Sequence, residues 1–299
     1  MQSLRFWLIL LLAVLPMPIL AQSVVPSGVS PSGLRGYWPM GSPTDASGRG
    51  NTLQVEDAAP TSNASGASDA AYALSSSLRS SLKVADGPDT DLTQAFTWAG
   101  CVRFGRIGQA TETIAQKSNG ESLANSMFQF DTYGFGANNR VRYRVMQADA
   151  EFGPYGAGPV LQNETWYHLA FVYDGTAGSL RYYLNGELQD TTEGVPPQLN
   201  NVPRPMEMGS NPVGLGSGNG YLTGAMDEVW WFARPLAGCE ISTLAASCGE
   251  PNAQCGGDGS FSAAEREELV RLRRENRQLQ MERELLKKWA AFFTKESSK

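Results

Sequence analysis

The sequence predicts an all-β fold, a two-sheet antiparallel sandwich, followed by a C-terminal α-helical coiled-coil tail. Three observations predict it. The stretch Trp166 to Gln189 reads as three antiparallel strands in a row, Gly 32 and Pro 17 of 299 residues mark many turns, and from Ser262 the composition switches to Glu, Arg and Leu.

The central stretch is the most strongly patterned. Trp166, His168, Ala170 and Val172 fall on one face of a period-two strand, and Tyr167, Leu169, Phe171 and Tyr173 on the other. Both faces are mostly apolar, so the strand is expected to be covered on both sides. Asp174-Gly175 and Gly178 are expected to supply the φ > 0 positions of the first reversal, and Asn185-Gly186 is the preferred type I′ dipeptide for a two-residue hairpin.

From the start of the chain, one Arg precedes an apolar run from Phe6 to Leu15, and Ile19-Leu20-Ala21 precedes Gln22. This reads as a secretory signal peptide over residues 1–21, because the run falls short of the roughly 20 residues that span a bilayer. The expected protein is therefore secreted, periplasmic or extracellular, with no membrane span. Residues 22–33 are a Ser/Pro linker, 34–250 the sandwich, 251–262 a second linker and 263–296 the helical tail.

Within the sandwich the pattern predicts strands at Leu34 to Met40, Ser81 to Ala85, Phe96 to Phe104, Thr113 to Gln116, Met127 to Asp131, Arg140 to Gln147, Met206 to Gly209 and Gly224 to Phe232. Asp45 to Asn51 is a tight-turn composition, Thr61 to Ala71 a polar loop, and a short helix is expected around Glu240 to Ala246.

The formal charge is −6, but Phe261 onward carries +3 and the remainder −9, so the sandwich is acidic and argues against a nucleic-acid partner. Four cysteines in an exported chain favour disulfides over metal thiolates, and there is no CxxC and only one histidine. Of the three possible pairings, spacing favours Cys239 with Cys248, leaving Cys101 and Cys255 bonded or free.

In the tail, Leu269, Asn276, Arg283 and Ala290 take heptad position a, and Leu272, Leu279, Leu286 and Phe293 take d. Glu268 with Arg273 and Glu282 with Lys287 would attract across a parallel homodimer, and Asn276 would set its register. The competing expectation is a single solvated helix, since four heptads is near the lower limit. The stretch REELVRLRRENRQLQMERELLKKWAAFFTKESS is similar to the leucine-zipper end of the small subunit of insertion-sequence transposases. The resemblance implies a fused fragment, without the DNA-reading part.

Leu34-Arg35-Gly36-Tyr37-Trp38 with Asp45-Ala46-Ser47-Gly48, Phe96-Thr97-Trp98-Ala99-Gly100-Cys101-Val102, Trp166 to Gly175 with Tyr183-Leu184-Asn185-Gly186, and Gly224 with Met226-Asp227-Glu228-Val229 occur in that order. Together they resemble the laminin-G-like, concanavalin-A-like jelly-roll domains, from Leu34 to about Cys248. The resemblance implies a structural calcium held by Asp227 with Asp45 and Asn51 of the opening turn. The alternative is that Asp227 hydrogen-bonds backbone amides of a neighbouring turn.

The glucanases of this fold carry Glu-x-Asp-x-x-Glu on one strand, and this chain has no such triplet. Asp227 and Glu228 are adjacent and are expected to point to opposite faces. His168, mid-strand, is expected to be packed and hydrogen-bonded rather than catalytic. The domain therefore reads as a non-catalytic binding or adhesion module for a polysaccharide or cell-surface glycan. The alternative is a glycan-active hydrolase whose acid pair is scattered over loops. Tyr133, Tyr155 and Tyr221, in Gly-rich surroundings, are candidates for stacking on sugar rings, against the reading that they plug the sandwich edges.

Overall fold

A computed structural model describes residues 24–119, 122–133, 139–211 and 220–249, and of Tyr133 the backbone only. The signal peptide, Cys255 and the heptad residues Leu269, Leu272, Asn276, Leu279 and Leu286 lie outside the described residues. In chain order the strands are β1 (Leu34–Trp38), β2 (Gln54–Glu56), β3 (Ala59–Thr61), β4 (Ala71–Leu74), β5 (Ser81–Val84), β6 (Ala95–Phe104), β7 (Glu112–Ser118) and β8 (Ser126–Tyr133). There follow β9 (Arg140–Gln147), β10 (Ala150–Phe152), β11 (Trp166–Asp174), β12 (Ser179–Leu184), β13 (Glu187–Glu193), β14 (Met206–Met208), β15 (Gly224–Phe232) and the helix α1 (Gly238–Ala245).

Two antiparallel sheets face each other, as expected. One runs β13-β12-β11-β6-β15-β4-β3 with β1 also on β15, and the other runs β10-β9-β8-β7-β14-β5-β2. Between them lies the main core, with Phe96, Trp98, Val102 and Phe104 of β6 and Leu169, Phe171 and Tyr173 of β11 meeting Phe128, Phe130, Tyr143 and Met208. The opposite face of the eight-stranded sheet is covered too. Ala99, Ala170, Val172, Trp230 and Phe232 pack there against Ile241 and Leu244 of α1. This is why β11 is apolar on both faces.

Val25 and Val29 belong to that second cluster, 4 % and 6 % exposed. The expectation of a linker over 22–33 is thus corrected for its described part. Arg234 accounts for much of the docking, donating to the carbonyls of Ser30 and Ser32 (2.8 and 2.7 Å) and pairing with Glu240 of α1. Two short apolar residues and a handful of carbonyls suffice to hold a Ser/Pro segment that composition alone marks as unstructured.

The turns follow their residues in one case and not in the other. Asn185 and Gly186 both adopt positive φ, 51° and 78°, as a type I′ turn requires. At the preceding reversal only Gly178 has positive φ. Gly175 is needed for a different reason: a Cβ there would lie 2.4 Å from the Pro197 carbonyl and 2.6 Å from that of Gln94.

The disulfide joins Cys101 of β6 to Cys248, with Cα atoms 5.7 Å apart, which corrects the expected Cys239–Cys248 pair. Cys239 lies in the first turn of α1, and the chain stays helical through Ala246–Cys248. Nine helical residues advance about 13 Å and end on the opposite face, whereas a disulfide needs Cα atoms within about 7 Å. Cys101 instead points to the outer face of its sheet, under the end of the helix.

Candidate functional site

The outer face of the seven-stranded sheet carries two rows of polar side chains, fixed by strand register. In the first, Lys83 of β5, Glu207 of β14, Gln116 of β7, Gln129 of β8 and Arg144 of β9 stand opposite one another across five strands. In the second, Thr113, Asp131 and Arg142 do the same across β7, β8 and β9. At about 4.8 Å per strand the first row extends roughly 19 Å. The alternation that builds it is plain in β8 and β9, where Gln129, Asp131, Arg142 and Arg144 interleave with the core residues Phe128, Phe130, Tyr143 and Val145.

These groups are cross-braced. Arg142 donates to both oxygens of Asp131 at 2.7 Å, and Gln129 donates to Asp131 at 2.8 Å. Arg144 donates to Gln129 (2.8 Å) and to Glu151. Bidentate pairing of this kind fixes orientation as well as charge. Burial acts to lower the Arg142 pKa, but the Asp131 carboxylate outweighs it and raises the value. Burial also raises the Glu207 carboxyl, although Ser210 donates to it at 2.7 Å.

Tyr155 stands at the β10 side of this face, 55 % exposed. Its hydroxyl donates to Glu151, and the Arg142 guanidinium lies over its ring, 5.8 Å from the centroid. The ring is thus held beside a braced cation while more than half of the residue stays exposed. Of the other expected sugar contacts, Tyr221 is corrected: at 7 % exposure it offers no face to a ligand. The Tyr133 side chain lies outside the described residues.

The residues expected to hold calcium are not gathered around one point by their free oxygens. Asp45 Oδ1 accepts the backbone N–H groups of Tyr37 and Ser47, and its Oδ2 that of Asn51. The Asn51 side-chain amide donates to the Arg35 carbonyl and to Asp89, and the Asn51 backbone carbonyl accepts the Trp38 indole. Asp45 and Asn51 thus fasten the opening turn, and this donor set does not fit a cation that wants six to eight oxygens. Among the described residues no group of three or more His, Cys, Asp or Glu side chains is arranged to hold a metal.

Asp227 is fully buried on the other outer face, beside Cys101. Its Oδ1 accepts the Glu228 N–H at 2.9 Å, and its Oδ2 has no partner. A bulge between Asp227 and Trp230, with Glu228 at φ 49°, corrects the expectation that the two carboxylates point to opposite faces. Glu228 accepts the Tyr37 hydroxyl at 2.7 Å, and Tyr37 stacks on the outward Trp230. Burial, then the charge of Glu228, pushes the Asp227 carboxyl up to about 7. With no exposed surface, Asp227 has no route to a substrate.

A test follows from this geometry. EDTA is expected to leave the melting temperature unmoved, and Asp227→Asn to raise it at pH 7 by removing a carboxylate that is costly to ionise there. Melting temperatures that fall under both treatments would instead place a bound cation at Asp227.

His168 is buried as expected but not hydrogen-bonded, for neither ring nitrogen has a partner. Burial holds its imidazole down at about 3.

A family model of the concanavalin A-like lectin/glucanases superfamily matches residues 76–242. Comparison with curated proteins finds no match in sequence. Among solved structures, the binding domain of Paraclostridial Mosquitocidal Protein 1 is similar at TM-score 0.57 and 14 % identity, over 72 % of this chain and 52 % of that one. The botulinum neurotoxin serotype C1 binding domain is similar at TM-score 0.55 and 16 % identity, over 72 % and 52 %. Domain 4 of AbnA, a GH43 extracellular arabinanase from Geobacillus stearothermophilus solved with arabinotriose, is similar at TM-score 0.51 and 14 % identity, over 71 % and 98 %. The chain spans about half the length of the toxin binding domains. At these identities the likeness is one of fold. Among the described residues no helix is long and apolar enough to cross a membrane.

Proposed function

The chain belongs to the concanavalin A-like lectin/glucanases superfamily through residues 76–242, and we propose that it is an exported, non-catalytic glycan-binding module. The observation that carries this reading is the exposed Tyr155 at the β10 side of the outer face of the seven-stranded sheet, with the Arg142 guanidinium, itself paired with Asp131, over its ring. A sugar presents an apolar ring face and a rim of hydroxyls. An exposed aromatic ring suits the apolar face of a sugar. The complex of AbnA Domain 4 with arabinotriose supports the class of ligand, since that domain is covered almost whole. Asp131 supports binding over hydrolysis, because both its oxygens are taken by Arg142, and a general acid needs a proton to give.

Tyr155→Ala is expected to weaken oligosaccharide binding about tenfold, or about 1.4 kcal/mol, with an unchanged melting temperature. A glycan array followed by titration of the best ligand checks it. Release of shorter oligosaccharides from labelled β-glucans on incubation would overturn the non-catalytic reading.

A further inference from the structure

Arg140, Arg142 and Arg144 alternate along β9 on the face that carries Tyr155, because side chains two positions apart in a strand point the same way. Successive stems in this column are about 6.8 Å apart. Two of the three charges are neutralised, since Arg142 holds both oxygens of Asp131 and Arg144 pairs with Glu151. Arg140 differs. Its Nη1 donates to the Gly158 carbonyl, and no carboxylate among the described residues pairs with it. Arg140 is half-buried rather than sealed, and none of its nitrogens is both buried and unpartnered. The Nε–Nη2 edge of its guanidinium is therefore open to solvent.

Tyr155 lies along the same column. Gly156, its neighbour in the chain, packs on the Arg140 stem: a Cβ on Gly156 would lie 3.6 Å from the Arg140 Cβ and 3.8 Å from its Cδ. At the far end the Tyr155 hydroxyl meets Glu151, which stands on the Arg144 side. Arg140 is thus at the backbone end of the tyrosine, Arg142 beside its ring and Glu151 at its hydroxyl. Three guanidinium groups against two carboxylates leave one positive charge over, and it sits at the end away from Glu151.

We propose that Arg140 receives the carboxylate of an acidic sugar whose ring lies on Tyr155, so that the module selects uronate-bearing over neutral glycans; this rests on the glycan-binding reading above and adds its ligand class. A guanidinium edge presents two parallel N–H groups, and a planar carboxylate accepts both. The Gly158 carbonyl holds Nη1, which fixes the fork and leaves the other edge for a ligand. One sugar residue can span the step from the ring to that edge. The residues before Phe261 carry −9 in total, so an acidic glycan gains nothing from the field of the whole domain and depends on this local cation.

The test is calorimetric titration of the full chain with trigalacturonic acid and with galactotriose, its neutral counterpart, each in EDTA and in calcium chloride. It is run on wild type, Tyr155→Ala, Arg140→Met, Arg140→Lys and Arg49→Met, with melting curves of each protein alone. Wild type is expected to bind the acid at least about tenfold tighter than galactotriose, with or without calcium. Tyr155→Ala should weaken both ligands. Arg140→Met is expected to lower affinity for the acid about tenfold and to leave that for galactotriose as it was, whereas Arg140→Lys, which keeps a point charge without the fork, should recover part of the loss. Arg49→Met removes an equal charge from the opening turn and should change neither affinity.

Equal affinity for the two ligands, or tighter binding of galactotriose, overturns the inference and leaves the glycan-binding reading standing. The same holds if Arg140→Met melts lower and loses both ligands alike, as a mere fastening of the Gly158 carbonyl would give, or if Arg49→Met weakens the acid as much as Arg140→Met does. Acid binding that requires calcium overturns it in favour of a bridging cation. Absence of binding to both probes overturns both readings.

Discussion

Acidification from pH 7 to pH 3 is expected to cost the domain about 5 kcal/mol through His168 alone. The imidazole titrates near 6.5 in the unfolded chain and near 3 in the folded one, where it is sealed between β6, β11 and the end of α1. Each pKa unit is worth about 1.4 kcal/mol. The folded state refuses a proton that the unfolded state accepts, so this contribution is whole above pH 6.5 and is lost as the pH falls to 3.

Asp227 and Glu112 act with the opposite sign. Burial raises both carboxyls to about 7, so they favour the folded state as the pH falls from 7 through 4. The measured quantity is therefore the difference between wild type and His168→Leu in chemical denaturation at pH 7, 5 and 3. The gap is expected to shift by about 5 kcal/mol towards the variant over that range. A gap that stays constant would show that the imidazole is hydrated in the folded protein.

Removing the Cys101–Cys248 disulfide is expected to have an effect of similar size. The bond joins residues separated by 147 positions, and closing a loop of that length removes about 5 kcal/mol of unfolded-state entropy. In a domain of this size each kcal/mol moves the melting temperature by about 2–4 °C. The double variant Cys101→Ala/Cys248→Ala is thus expected to melt roughly 10–20 °C below wild type. Calorimetry with and without reductant checks it: reductant should lower wild type towards the variant and leave the variant where it is. A variant melting within about 2 °C of wild type would mean that native-state contacts, not the cross-link, hold the helix down.

Where pattern and packing are local, the sequence was legible. The two-faced strand at Trp166 to Asp174, the Asn185-Gly186 turn and the boundaries of Gly224 to Phe232 were all readable, because each is set by residues a few positions apart. The short strands β3, β4 and β10 were not. Ala59-Pro60-Thr61 and Ala71 to Leu74 have little alternation of their own, and they pair because β15 supplies an edge. The disulfide could not be read from spacing, since its partner lies on a strand 147 residues away. The polar rows were half legible. The alternation of Arg142 and Arg144 with Tyr143 and Val145 was in plain view, but only register reveals that Lys83, Glu207, Gln116, Gln129 and Arg144 share a line. Tyr155, singled out by its glycine-rich surroundings, is exposed. The same criterion mistook Tyr221 for a surface residue, because glycine marks a turn and not which way a neighbouring ring points.

The docking of Val25 and Val29 beside α1 also sets how the module is presented. Chain enters near Val25 and leaves near Cys248 on the outer face of the eight-stranded sheet. The braced rows with Tyr155 occupy the outer face of the other sheet, across the full thickness of the sandwich. Two sheets packed about 10 Å apart separate the docked N-terminal segment and the disulfide from Tyr155. A reporter fused at Val25 is therefore expected to sit across the sandwich from Tyr155.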